Sequence, residues 1–106
     1  MNALSSCSPQ QLEDWSQKLK VCGHPIRLKI LCLIEHESIC VSDLYQCLEQ
    51  PQPVISQHLA VLKERGVVEG TVSGNKRFYS IVDPLVRLMV QQFLKSAAEP
   101  DTIGYA

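Results

Sequence analysis

The fold is decided by the run Gln52-Pro53-Val54-Ile55-Ser56-Gln57-His58-Leu59-Ala60-Val61-Leu62-Lys63. At about 100° per residue, a helix from Gln52 to about Arg65 has an aliphatic face formed by Ile55, Leu59 and Leu62. Its opposite face is small and polar, with Pro53, Ser56, Gln57 and Ala60. A helix with such a face fits the DNA major groove, where Ser and Gln hydrogen-bond base edges. An ordinary amphipathic surface helix has the same pattern, so the neighbouring segments must distinguish it from a DNA-recognition helix.

Three helices are predicted before this run. The first has Ser8 as its cap and Pro9 as its first residue, followed at helical spacing by Leu12, Trp15 and Leu19. A second helix, from His24 to about His36, is apolar on almost every side and is therefore predicted to be central and buried. A short third helix, from about Val41 to Glu49, leads through a tight link into the run at 52, so the pair predicts a helix-turn-helix.

A hairpin and a last helix follow. The β-rich runs 67–72 and 76–82 flank Ser73-Gly74-Asn75, which is typical of a hairpin turn. Asp83-Pro84 opens the last helix, which places on one face Leu85, Leu88, Met89 and Phe93. The order predicts a mainly α winged helix-turn-helix with a β-hairpin wing. We assign residues 1–8 to a flexible arm, 9–96 to the DNA-binding and dimerisation domain, and 97–106 to a frayed tail.

Length and composition agree with one globular domain. The chain has 106 residues, 45% of them hydrophobic and 20% charged. So short a chain buries a limited share of its surface, which favours oligomerisation. The longest apolar run, 30–34, is far too short to cross a bilayer, and the N-terminus lacks the features of a secretion signal. We therefore expect a soluble, cytoplasmic protein.

The positive charge is local. The net charge is −1, but residues 52–82 carry four Lys/Arg against two Asp/Glu. Phosphate contacts depend on groups that converge on one surface and not on the total charge. The positive groups predicted to converge on phosphates are those of Lys63, Arg65, Lys76 and Arg77, together with His58. Asn75, at the turn of the hairpin, is added to the predicted DNA-binding residues. With the wing added, DNA binding is favoured over a plain surface helix.

Four segments in the same order resemble the ArsR/SmtB family of repressors: 23–31, 39–44, 52–63 and 77–79. The resemblance implies a homodimer formed by the first and last helices, with no enzymatic activity. It also implies that paired recognition helices read a pseudo-palindromic double-stranded operator until an inducer acts. By this resemblance Gln52, Ser56, Gln57 and His58 meet the groove or its edges. His58, at the flank of the aliphatic face, has an equal alternative, packing against its own domain.

The chain departs from the family in the helix-turn-helix link. The family usually has Gly, an aliphatic residue and Ser there, whereas this chain has Glu49-Gln50-Pro51. Loss of the Gly and of the Ser cap is expected to cost about 1 kcal/mol each.

Five cysteines form an odd set without a C-x-x-C spacing, which argues against a disulfide framework. The zinc-type site of the family needs Asp-x-His, but this chain reads Asp83-Pro84-Leu85, so Asp83 is predicted to be a helix cap. The family's C-V-C-D-L thiolate site reads Cys40-Val41-Ser42-Asp43-Leu44, with one thiol missing. A soft metal ion would need further sulfur ligands, for instance Cys7 from the arm.

Three cysteines are the candidate regulatory thiols: Cys7, Cys32 and Cys40. Cys7 precedes a helix N-terminus, which can depress a thiol pKa. Cys32 matches a position used by oxidant-responsive members, although the partner in the last helix is missing, and a core cysteine is an equal alternative. Cys40 lies where polar residues are common, so its burial is the least certain. Cys22 and Cys47 are predicted to be small buried side chains.

These patterns lead to one hypothesis and its competitors. An oxidant or reactive sulfur species modifies the thiols and releases the operator, with no resident cofactor. The first alternative is a sensor of a thiophilic metal or metalloid such as arsenite or cadmium, held by Cys7 and Cys40. The second is a winged-helix module that binds proteins and not DNA. A redox enzyme is disfavoured, because no catalytic Cys-His arrangement or nucleotide-binding glycine pattern is present.

Overall fold

The computed structural model describes residues 8–94. They form, in chain order, α1 (Pro9–Cys22), α2 (Pro25–His36), α3 (Val41–Leu48), α4 (Gln52–Glu64), β1 (Val68–Ser73), β2 (Lys76–Ile81) and α5 (Pro84–Phe93). This order confirms the predicted winged helix-turn-helix, with α4 as the second helix of the motif and the β1–β2 hairpin as the wing. The predicted arm, apart from Ser8, and the predicted tail lie outside the described residues.

Side-chain caps followed by proline start three of the helices. Ser8 Oγ accepts a hydrogen bond from the Gln11 N–H at 2.9 Å, and His24 Nδ1 accepts one from the Ile26 N–H at 3.1 Å. Asp83 Oδ1 accepts from the N–H groups of Leu85 and Val86 at 2.9 and 3.1 Å, which confirms its prediction as a cap. Each proline at the first helical turn lacks an N–H that would have no partner there.

The core is built around α2. Ile30 and Leu31 are fully buried together with Leu44 of α3, Ile55 and Leu62 of α4, and Val67, which lies between α4 and β1. The prediction that α2 is buried on almost every side is too strong, because Ile26, Leu28 and Leu33 are only partly buried. Deep burial of aliphatic side chains from α2, α3 and α4 fixes the helix-turn-helix against the domain.

The wing is a regular antiparallel pair. Its register runs from Val68 opposite Ile81 to Ser73 opposite Lys76, with Gly74 at φ +67° in the turn. A left-handed residue at this position suits glycine, which has no Cβ to clash. The base of the wing is buried through Val68 and Ile81, whereas the rest of β1 is exposed.

Helices α1 and α5 leave apolar side chains uncovered. On α1 the exposed fractions are 49% for Leu12, 43% for Trp15 and 51% for Leu19; on α5 they are 55% for Leu88 and 77% for Phe93. Val86 and Val90 bury the opposite side of α5. The predicted apolar face of α5 is therefore largely an outward face.

One carboxylate ties these two helices together. Asp83 Oδ2, at the cap of α5, lies 2.7 Å from Lys18 Nζ on α1, and the same ammonium lies 3.1 Å from Asp14 Oδ2. Burial alone would raise the pKa of Asp83, but the Lys18 ammonium and the capping N–H groups outweigh it and lower that pKa. Among residues 8–94, no helix combines the length and apolar character needed to cross a bilayer.

Candidate DNA-binding surface and thiol sites

The two faces of α4 are those predicted from the sequence. Ile55, Leu59 and Leu62 are buried, and the outward face with Gln52, Ser56 and Gln57 is exposed. Pro53 and Ala60 lie between these polar residues and add little bulk. The outward face of α4 is therefore exposed and small enough for the helix to enter a DNA major groove.

A cleft of about 330 Å³ joins this face of α4 to the wing. Its lining includes Ser56 and Lys63 of α4 and Arg77 of β2. Arg65, Asn75 and Lys76 are exposed, at the C-terminal end of α4 and at the tip of the wing. Of the predicted DNA-binding residues, Ser56, Lys63 and Arg77 thus line one cleft between α4 and the wing.

Two tyrosines at this cleft were missed by sequence reasoning. Tyr45 on α3 and Tyr79 on β2 line it beside Ser56 and Arg77. Neither tyrosine belongs to a pattern on its own helix or strand that indicates a site. Only the meeting of α3, α4 and the wing in space brings them there.

His58 packs against its own domain. Arg27 Nε donates a hydrogen bond to His58 Nδ1 at 3.1 Å, and Arg27 Nη1 donates one to the Val21 carbonyl at 3.0 Å. The His24 ring lies beside that of His58, with the ring centres 4.6 Å apart and the ring planes tilted by 48°. Burial, followed by the neighbouring positive groups of His24 and Arg27, lowers the pKa of His58. Of its two expected positions, the half-buried ring occupies the packed one, while contact with DNA stays a prediction.

Arg27 was not predicted to have a role. It links the end of α1, the start of α2 and the recognition helix α4 through side-chain and carbonyl contacts. The residues it joins are as far as 31 positions apart in the chain, so local sequence carried no signal for this contact.

The link between α3 and α4 shows the predicted departures from the family. Glu49, where the family usually has Gly, has φ +51° in the left-handed region. Pro51 occupies the cap position of α4 and gives no side-chain hydrogen bond. Both features agree with the stability costs expected from the sequence.

The described cysteines are thiols with different environments. Cys22 is 2% exposed, as predicted, and burial is the main cause that raises its pKa. Cys40, whose burial the sequence left least certain, is 4% exposed, and its Sγ lies 3.2 Å from Ser42 Oγ. Its role as a regulatory thiol stays a prediction. Cys47 is exposed, so its prediction as a buried core side chain is wrong. Cys7 lies outside the described residues.

Cys32 and Cys47 share a second cleft, of about 610 Å³, between α2 and α3. Lys29, Leu33, Leu48 and Glu49 complete its lining. Burial, together with the Glu37 carboxylate, raises the pKa of the half-buried Cys32 thiol. Among residues 8–94, no group of three or more His, Cys, Asp or Glu side chains could hold a metal ion.

A small polar helix face beside a cationic wing, on a helix-turn-helix core, defines the chain as a winged-helix DNA-binding regulator. The sequence profile described as "Bacterial regulatory protein, arsR family" matches residues 24–70. An uncharacterised HTH-type transcriptional regulator of Methanocaldococcus jannaschii, MJ1325, is 39% identical over 83 residues, which cover 77% of this chain and 93% of that protein. The chain therefore belongs to the ArsR family.

Relatives of known structure agree with this assignment. The transcriptional repressor PagR of Bacillus anthracis is 36% identical over 81 residues, covering 76% of this chain and 81% of that protein. Its crystal structure matches with a TM-score of 0.70, over 79% of this chain and 97% of that one. A winged-helix domain of Mycobacterium bovis, Mb0332, described as homodimeric, shares the fold with a TM-score of 0.67 at 21% identity, covering 86% and 82% of the two chains. The named regulators agree with the prediction of a non-enzymatic transcriptional repressor.

Proposed function

We propose that the chain acts as a homodimeric ArsR/SmtB-type repressor that releases its operator when its cysteine thiols are modified. The observation that carries DNA binding is the cleft where Ser56 and Lys63 of α4 meet Arg77 of the wing. It joins a groove-sized helix to cations that suit the flanking phosphates. Base edges and phosphates on one side of a duplex require this combination.

The contacts divide into two classes. Gln52, Ser56 and Gln57 lie on the outward face of α4 and read base edges in the major groove. The residues around them, Lys63, Arg65, Asn75, Lys76 and Arg77, bind phosphates and fix the register of the protein on the duplex. His58 supports α4 from behind through Arg27.

The dimer forms through α1 and α5. Their exposed apolar side chains, with Trp15 and Phe93 the largest, belong in an interface. Removing apolar surface from water stabilises an assembly by about 25 cal/mol per Å². The shared-fold relative Mb0332 is described as homodimeric, which supports the same assembly here. A two-fold dimer places its two α4 helices against the two halves of a pseudo-palindromic site.

Thiols are the favoured target of the inducer. Cys32 and Cys47 reach a common cleft next to the helix-turn-helix, so modification there alters the element that carries α4. Sensing of a thiophilic ion has less support, because the described residues contain no three-ligand group and the ion would depend on Cys7. A change of about 3 kcal/mol in coupling already alters DNA affinity by a factor of about 150.

Fluorescence anisotropy with DNA from upstream of the protein's own coding sequence tests DNA binding. We expect tight binding that weakens as salt rises, because phosphate contacts release counterions. Gln57→Ala should cost about 1–3 kcal/mol at one base position, and Lys76→Gln should lower the salt slope by about 1 for all sequences. Lys20→Gln, which removes an exposed cation on α1, is the matched control. Binding that ignores salt would instead indicate a protein-interaction module.

Peroxide, a persulfide donor, arsenite and cadmium are then added separately to the reduced complex. Release that a thiol reductant reverses identifies thiol oxidation, and release that only a chelator or chelating dithiol reverses identifies an ion sensor. If tight binding persists with all four reagents, regulation through thiols is wrong.

A further inference from the structure

We infer that Cys32 and Cys47 form the regulatory thiol pair, and that a hydroperoxide joins them as a disulfide across the cleft between α2 and α3. This inference rests on the proposed function, since it names the site through which thiol modification acts. The pair differs from the three thiols chosen from sequence, because Cys47 replaces Cys40 and Cys7.

The choice of this pair follows from burial and location. Cys22 and Cys40 are 2% and 4% exposed, so an oxidant in solution does not reach them directly. Cys47 is exposed in the last turn of α3, and Cys32 is half-buried on α2. Both thiols line the same cleft.

The open cleft explains how a bond between them changes the DNA-binding surface. A disulfide holds its two Cα atoms within about 7 Å, so in the proposed oxidised form the end of α3 is held close against α2 across the cleft. The chain passes from Cys47 through Leu48, the left-handed Glu49 and Pro51 directly into α4. Movement of this short link displaces α4 relative to its partner in the dimer, and two recognition helices at the wrong spacing no longer fit both half-sites.

The chemistry balances with one hydroperoxide. The Cys47 thiolate attacks the peroxide oxygen, an S–O bond forms, the O–O bond breaks, and the departing alkoxide or hydroxide is protonated; Cys47 is then a sulfenic acid. The Cys32 sulfur, as thiolate, attacks the Cys47 sulfur, an S–S bond forms, the S–O bond breaks and water leaves. The two thiols lose two electrons and two protons, and the hydroperoxide is reduced to an alcohol, or to water if it is hydrogen peroxide, plus one water.

The two sulfurs have different parts in this reaction. Burial and the Glu37 carboxylate raise the pKa of Cys32, so little of it is thiolate at neutral pH and it reacts slowly with a peroxide from solution. The exposed Cys47 therefore reacts first. Cys32 then resolves the sulfenic acid from within the cleft.

The test compares the parent chain with Cys32→Ser, Cys47→Ser and the matched control Cys40→Ser, each treated with hydrogen peroxide. The parent should lose two hydrogen atoms in intact mass, give a Cys32–Cys47 linked peptide without reductant, and bind operator DNA at least about tenfold more weakly until dithiothreitol is added. Cys40→Ser should behave like the parent. Cys32→Ser and Cys47→Ser should keep their DNA affinity in peroxide.

Two results separate this inference from the proposed function. In the first result, peroxide releases the parent from DNA, but the Cys32–Cys47 linked peptide is absent, a disulfide to Cys7 is found instead, or the Cys47→Ser variant is still released. The Cys32–Cys47 pair is then wrong, while regulation through thiols stands. If no thiol reagent releases the parent, the regulatory part of the proposed function fails as well. Circular dichroism checks the fold of each variant, and Cys32→Ala replaces Cys32→Ser if the half-buried hydroxyl unfolds the domain.

Discussion

Replacing Arg27 by Met tests whether this side chain holds the recognition helix in place. Met keeps most of the length of the side chain but removes the donors to His58 Nδ1, at 3.1 Å, and to the Val21 carbonyl, at 3.0 Å. A hydrogen bond from a charged donor contributes about 1.5–3 kcal/mol. Both bonds are only part-buried, and water partly replaces the donor. We therefore take about 1–1.5 kcal/mol for each of the two bonds and expect Arg27→Met to lower the free energy of unfolding by about 2–3 kcal/mol.

Urea denaturation followed by circular dichroism, at one fixed protein concentration, measures this loss. Lys29→Met removes an exposed cation two positions further along the same helix and should change the free energy of unfolding by less than about 0.5 kcal/mol. DNA affinity should also fall in Arg27→Met, because α4 loses a support. A loss within about 0.5 kcal/mol of the Lys29→Met value would show that the Arg27 contacts contribute nothing to the fold.

Three further predictions concern acid sensitivity, the helix link and the dimer. The pKa of His58 is lowered in the folded state, so the unfolded chain binds a proton more readily. The contribution of neutral His58 to the free energy of unfolding should therefore be fully present above about pH 6.5 and be lost as the pH falls below that value. His58→Gln should reduce this loss, measured by urea titrations at about pH 7.5 and about pH 5.5. An unchanged slope in His58→Gln would contradict this. Glu49→Gly should raise the free energy of unfolding by about 1 kcal/mol, because glycine adopts φ +51° without strain, whereas Glu49→Ala should give no such gain. Trp15→Glu should convert the dimer to a monomer in analytical ultracentrifugation, with Gln10→Glu on the same helix as the control; a Trp15→Glu dimer of parent strength would place the interface elsewhere.

The strongest local signals in the sequence predicted the fold well. Ser8-Pro9, His24-Pro25 and Asp83-Pro84 each combine a capping side chain with a residue whose φ is already helical, so these helix starts depend little on distant contacts. The faces of α4 followed from its length, because three aliphatic residues over two turns define a direction clearly.

The sites that depend on neighbouring elements were harder to predict. Cys47 lies near Leu44 on the helical wheel, yet Leu44 is buried and Leu48 packs against the core while the Cys47 thiol between them is exposed. A helical wheel gives the direction of a side chain but not which neighbouring element covers it. Cys40 differs from expectation in the opposite direction, because it is buried at a position where polar residues are common. Its backbone forms a β-bridge with Phe78 of the wing, which covers it. The Arg27–His58 contact likewise required the tertiary structure.

The contact between Lys18 and Asp83 affects the order in which a newly made chain can assemble. The Asp83 carboxylate caps α5, near the end of the described residues, and also pairs with Lys18 of α1, near their beginning. The proposed dimer surface consists of the exposed apolar faces of α1 and α5, so these two faces come together only after α5 has left the ribosome. Until then α1 exposes Trp15 and Leu19 without their companion helix, and a growing chain cannot pair through a complete interface. In the proposed dimer, pairing through the complete surface therefore follows the synthesis of α4 and the wing, which lie between α1 and α5 in sequence.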